Sequence, residues 1–245
     1  MCARRARSGP QSGSEQPRTV PSGESGRRFP RYDVLDQAGT WDGATRAVVT
    51  GRLALQPDLR FFSLAEEAAA SALFDRLLAQ DGPPGVPKVP VLQMVDSRLA
   101  EGQTDGWHHR DMPEDGDAWR ASLRGLDADA ADRYRAPSFA ALTRERQDEL
   151  VESVRLTAHE SPGKEWHGMP AGHLWDLWMR YACTAFYAHP WSWNEIGFAG
   201  PAYPRGHSRL GVGLREPWEH PDEAPRDPAA APQEPAASDG EGRRR

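Results

Sequence analysis

Apolar residues recur along this chain at the spacing of helix faces, and no segment alternates regularly enough to read as a strand. A first periodic stretch begins near Thr40 and sets Trp41, Ala44, Val48 and Leu55 along one side. The clearest one follows. Ser63-Leu64-Ala65-Glu66 has the form of a capping box, in which hydroxyl and carboxylate each accept from a backbone amide that a helix start leaves unpaired. Behind it, Ala70, Leu73, Phe74, Leu77 and Leu78 repeat at helical intervals, and the run stops near Gln80-Asp81-Gly82, before Pro83 and Pro84.

A third helix is predicted to open at Pro90, since a first-turn residue needs no amide hydrogen, with Val91, Val95 and Leu99 on one side. The spacing of Trp119, Leu123, Leu126, Ala130 and Tyr134 predicts a fourth over 117–134. A fifth, over 143–156, enters after Thr143 and buries Leu150, Val151 and Val154.

The sixth, over 171–187, is apolar on nearly every side. Leu174, Leu177, Trp178, Tyr181 and Ala185 make one stripe, and Trp175, Met179, Cys183 and Phe186 a second. Only Asp176, Arg180 and Thr184 interrupt between 174 and 187, with Asp176 four residues ahead of Arg180 and placed to pair with it. This is the expected central helix of an all-α bundle of about six helices.

The pattern then changes. Residues 187–206, YAHPWSWNEIGFAGPAYPRG, hold five aromatic residues and six Gly or Pro. Proline lacks an amide hydrogen and glycine costs backbone entropy, so regular structure is not expected to run through them. A disordered linker would not carry two tryptophans, two tyrosines and a phenylalanine. The expectation is an ordered, irregular segment whose flat side chains lie against something, either the bundle itself or a second protein. Trp, Tyr and Arg are the usual anchors of interfaces. The candidate interface residues are Tyr187, His189, Pro190, Trp191, Trp193, Asn194, Tyr203, Pro204 and Arg205.

Composition sets the limits of the folded part. Residues 1–30 carry six arginines among Ser, Gly, Pro and Gln, and 219–245 is Pro, Ala and charge. Neither buries enough surface to offset the entropy of ordering, so both are expected to be disordered tails around a single domain over 31–218. The net charge of -6 argues against a nucleic-acid surface. No apolar run approaches the roughly 18 residues of a membrane span. The paired arginines at 4–5 and 27–28 precede no apolar core of an export signal, so the cytoplasm is the expected location. Cys2 and Cys183 have no reason to pair, and Cys183 reads as a small buried apolar residue.

Chemistry is sparse. No Gly-x-Ser-x-Gly elbow, phosphate-binding loop or dinucleotide fingerprint occurs, so neither catalytic residues nor a cofactor site are expected in this chain. Eight histidines are present, with His159, His167, His173 and His189 close in sequence. None of these four are i, i+3 or i+4 partners, the spacing that places two imidazoles on one helix face. A metal-dependent enzyme built on the histidines between 159 and 189 stands as the alternative reading, beside a helical scaffold with no redox role. His108 and His109 read as part of a solvated turn.

The segment Tyr187-Ala-His189-Pro190 followed by Asn194-Glu195-Ile196-Gly197-Phe198-Ala-Gly200-Pro201-Ala-Tyr203-Pro204-Arg205-Gly206 resembles the closing signature of the gluconate 2-dehydrogenase subunit 3 family. The capped helix at 63–80, Pro83-Pro84-Gly85-Val86-Pro87 and the Val91–Leu99 stretch with Asp96 are similar to its early region; Phe139, Leu142, Gln147 and Leu150 resemble its middle. The likeness covers about 58–206. It implies a non-catalytic small subunit that binds and helps mature a flavin-dependent large subunit of the glucose-methanol-choline oxidoreductase type, acting on sugars or sugar acids. FAD is then expected in that partner, and a cytochrome c subunit can join such complexes. Small subunits of the family often supply a twin-arginine export signal, which is not visible here.

Overall fold

The computed structural model describes residues 33–54, 58–80, 88–160 and 163–202. The tails predicted over 1–30 and 219–245 lie outside these residues, as do Leu55, the Pro83–Pro87 loop and the candidate interface residues Tyr203, Pro204 and Arg205. The architecture is all-α with one short hairpin. In order come a 3-10 turn at Val34–Thr40, α1 (Gly43–Gly51), α2 (Leu64–Leu77), α3 (Val91–Ala100), α4 (Asp115–Tyr134) and a 3-10 turn at Phe139–Ala141. Then follow α5 (Arg144–Glu160), strands β1 (Glu165–Trp166) and β2 (Met169–Pro170), α6 (Ala171–Ala188) and α7 (Pro190–Ile196).

Helix α6 is the centre, packing against α5, α3, α2 and α4 before it leads into α7. Its first predicted stripe is buried throughout: Leu174, Leu177, Trp178, Tyr181 and Ala185. The second stripe is only half-buried, with Trp175 and Phe186 leaning on the core's edge. Arg180 does not serve Asp176. It crosses to Asp105 and Asp115, the latter also accepting from the Tyr181 hydroxyl, and its guanidinium lies over the Trp107 ring.

The capping box of α2 forms as predicted, with Ser63 and Glu66 satisfying one another's amides. The loop ahead of it is held by Asp96 of α3. That carboxylate is 1% exposed and accepts the amides of Arg60, Phe61 and Phe62 at 2.7, 2.9 and 2.9 Å. Three oriented N–H dipoles take the place of water around the charge, which is what lets it stay inside. The same bonds turn Phe62 into the core against Trp119.

One helix face and two boundaries depart from the periodicity. The first helix uses Trp41 and Val49 as its inner contacts, while Val48 is 57% exposed and Ala44 faces out. Asp42 caps α1 by accepting from Thr45 N, and so starts the helix at Gly43 rather than at Thr40. Helix α2 ends at Leu77, with Ala79 in the left-handed region at φ 51°, ahead of the glycine taken as its stop.

The hairpin was not signalled by alternation, because each strand has two residues. His167 and Gly168 at its turn both have positive φ (48° and 78°), the geometry of a tight two-residue hairpin. Asp129 of α4 fastens it, accepting from Trp166 Nε1 at 3.1 Å and meeting His167 Nε2 at 2.9 Å.

Candidate partner interface around helix α7

The expected irregular segment begins with a helix. Residues Pro190–Ile196 form α7, and the breakers that argued against regular structure stand at its ends. Pro190 occupies the first turn, where a missing amide hydrogen costs nothing. Gly197, at φ 68°, provides the left-handed terminus, with Phe198 N donating back to Trp193 O at 2.9 Å. His189 is the N-cap: its Nδ1 accepts from Trp191 N at 3.2 Å. A histidine in that position is not among the residues normally read as a cap, so the sequence carried little signal for this start.

Of the six candidate interface residues that are described, His189, Pro190, Trp193 and Asn194 are buried, as is Ser192 among them. Trp193 enters a small second core with Val34, Trp41 and Val49, apart from the main one, and its Nε1 donates to Tyr187 O at 2.6 Å. Asn194 accepts the Val34 amide at 2.8 Å and donates to Asp33 at 3.4 Å. Gly200, at φ 79°, passes so close that an added Cβ would stand 2.8 Å from Val34 Cγ2 and 3.1 Å from the Trp41 ring. The N-terminal turn and the C-terminal segment thus clasp each other.

His189 is buried next to Trp191 and Arg52. Burial pulls its imidazole down to about 4, against a partial opposing effect of its bond to the Arg52 backbone. The Arg52 guanidinium is nearby and donates to Ala188 O at 2.7 Å. Trp191 is half-buried, edge-on to the His189 ring at 4.7 Å, and rests on the main core.

What points outward is a different set. Tyr187, Ile196 and Phe198 are 50%, 48% and 46% exposed. Tyr187 and Phe198 flank Trp193, the first through its carbonyl and the second with its ring edge-on at 5.4 Å. The Phe198 ring braced by a buried tryptophan, and the Tyr187 ring edge-on to Phe186 at 5.2 Å, lose less entropy on covering than free side chains would. Ile196 and Phe198 were legible as apolar residues; their outward direction needed the helix.

The four histidines of the alternative reading are dispersed. His159 lies edge-on to Trp175, His167 meets Asp129, His189 caps α7, and His173 contacts Asp111 and His109. They do not assemble with one another. Among the described residues no helix is long and apolar enough to cross a membrane.

Residues 65–200 match the family model described as Gluconate 2-dehydrogenase subunit 3, more than half of the chain. No curated protein and no solved structure matches.

Proposed function

The chain belongs to the gluconate 2-dehydrogenase subunit 3 family, and on that footing we propose that it seats on and stabilises a flavin-dependent large subunit of the glucose-methanol-choline type. In this reading the redox centre, with its FAD, resides in the partner, and the complex oxidises a sugar or sugar acid. This chain contributes fold, not chemistry. The observation that carries the reading is the outward set Tyr187, Ile196 and Phe198 around the buried Trp193, whose ring supports that of Phe198 and whose Nε1 holds the Tyr187 carbonyl. Aromatic and aliphatic anchors on a fixed support are the usual centre of a protein interface.

The role of the clasp follows. Because Trp193 is tied to Val34 and Trp41, the docking face depends on the N-terminal turn as well as on α7. A large subunit seated there would find its surface already ordered.

Co-expression with a flavin-dependent large subunit of that type from the same source tests the proposal. A stoichiometric complex is expected on size exclusion, with flavin content and soluble yield of the large subunit falling when this chain is omitted. A large subunit that folds, loads flavin and turns over equally well alone, and that never co-elutes with this chain, would overturn it.

A further inference from the structure

We propose that His109, Asp111 and His173 form a binding site for a divalent first-row transition-metal ion of the zinc type, tying the loop before α4 to the first turn of α6. One coordinating atom from each of the three lies within 4.8 Å of the others. His109 and Asp111 belong to the loop between α3 and α4, and His173 to the start of α6, 62 residues beyond Asp111. The juxtaposition is therefore made by the fold, which is why the run of histidines between 159 and 189 gave no hint of it.

The spacing suits an ion. His173 Nδ1 and Asp111 Oδ1 are 3.0 Å apart. Two ligand atoms at the tetrahedral angle, each about 2.1 Å from one zinc ion, are about 3.4 Å apart, so this pair need open only by a few tenths of an ångström for an ion to replace the proton they share. The His109 ring is stacked on that of His173 at 3.6 Å with planes 1° apart. Parallel rings run their in-plane lone pairs side by side, and the His109 ring must turn to bring its nitrogen onto the same ion. Both histidines are only half-buried, which leaves room for that rotation.

The surroundings favour one added cation charge. The loop is held by Asp105, which takes Arg98 and Arg180, and by the buried Met112. Arg180, which lies over the Trp107 ring bordering the site, is neutralised by Asp105 and Asp115. Trp107 stands edge-on to His109 at 5.3 Å and shields that side. Two imidazoles and a carboxylate are the donor set of zinc, iron(II), cobalt(II) and nickel(II) rather than of calcium or magnesium. Three protein ligands leave coordination positions for water or for a group from a partner.

The test uses the full chain, purified without a histidine tag and stripped with a chelator. Calorimetric titration with zinc is expected to give one ion per chain, cobalt(II) to give visible ligand-field absorption, and the melting temperature to rise with zinc. His109→Ala and His173→Ala should each weaken binding by more than the roughly tenfold that loss of an outer partner costs, with circular dichroism unchanged. Asp111→Asn, which keeps the shape, should weaken it as well. His159→Ala and His167→Ala should leave it as it was. Absence of binding in the micromolar range, or binding that survives His109→Ala and His173→Ala, overturns the assignment. So does binding that moves only with His207 and His220.

Discussion

The side chain of Asn194 accepts a hydrogen bond from the backbone amide of Val34 at 2.8 Å, across 160 residues of chain. Both partners are buried, and Trp193 beside Asn194 packs on Val34 itself. One amide thus joins the first turn of the structure to its last helix. Asn194→Ala should cost about 1–3 kcal/mol, the penalty of a buried amide left without an acceptor. Urea unfolding measures it, and an unchanged midpoint would show that the clasp contributes nothing.

Asp96 is a second such junction, with one carboxylate serving three successive amides. Hydrogen bonds to a charged group contribute about 1.5–3 kcal/mol each, so Asp96→Ala is expected to cost at least that of the strongest one. Asp96→Asn keeps the shape but loses the charge, and should fall between the two. Chemical denaturation of the three proteins gives the order.

Acid should loosen the α7 region through His189. The unfolded imidazole takes up a proton near 6.5, whereas the folded one resists until about 4. Between those values unfolding binds a proton, so stability is full above the upper limit and is lost as the pH falls. At about 1.4 kcal/mol per unit the loss is of order 3 kcal/mol at most. His189→Asn keeps an acceptor at the cap and removes the titration. Its melting temperature should therefore be flatter across this window, and a parallel decline in both proteins would exclude His189 as the source.

Gly125 sits inside α4, where alanine normally gains about 1 kcal/mol by helix propensity. Here an added Cβ would stand 2.6 Å from the Trp166 ring and 2.9 Å from that of His167. Gly125→Ala is expected to destabilise, because the hairpin must lift off the helix to admit the methyl group. Thermal melts decide the sign.

Tyr187→Ser together with Phe198→Ser should weaken capture of the flavoprotein large subunit by tenfold or so, equivalent to about 1.4 kcal/mol, and leave far-ultraviolet dichroism unchanged. Trp193→Ala should behave differently, lowering the chain's own stability by about 3 kcal/mol or more as a large ring leaves a packed site. A Trp193→Ala variant as stable as the parent would mean that the ring serves the partner.

The helices were open to reading along the chain because their cause is local: a 3.6-residue apolar repeat, a serine and glutamate three apart, prolines and glycines at the ends. So was the family likeness, whose signature is a contiguous string of residues. The direction of Trp193 was not. A tryptophan after a proline reads equally as an anchor for another protein or as packing for its own, and the choice fell to Val34 and Trp41, which are remote in sequence. The hairpin was hidden by two-residue strands, the α7 cap by an unusual histidine, and the meeting of His109 with His173 by the 63 residues between them. Periodicity acts through neighbours a turn apart. Contacts between distant residues exist only once the whole chain has closed around α6.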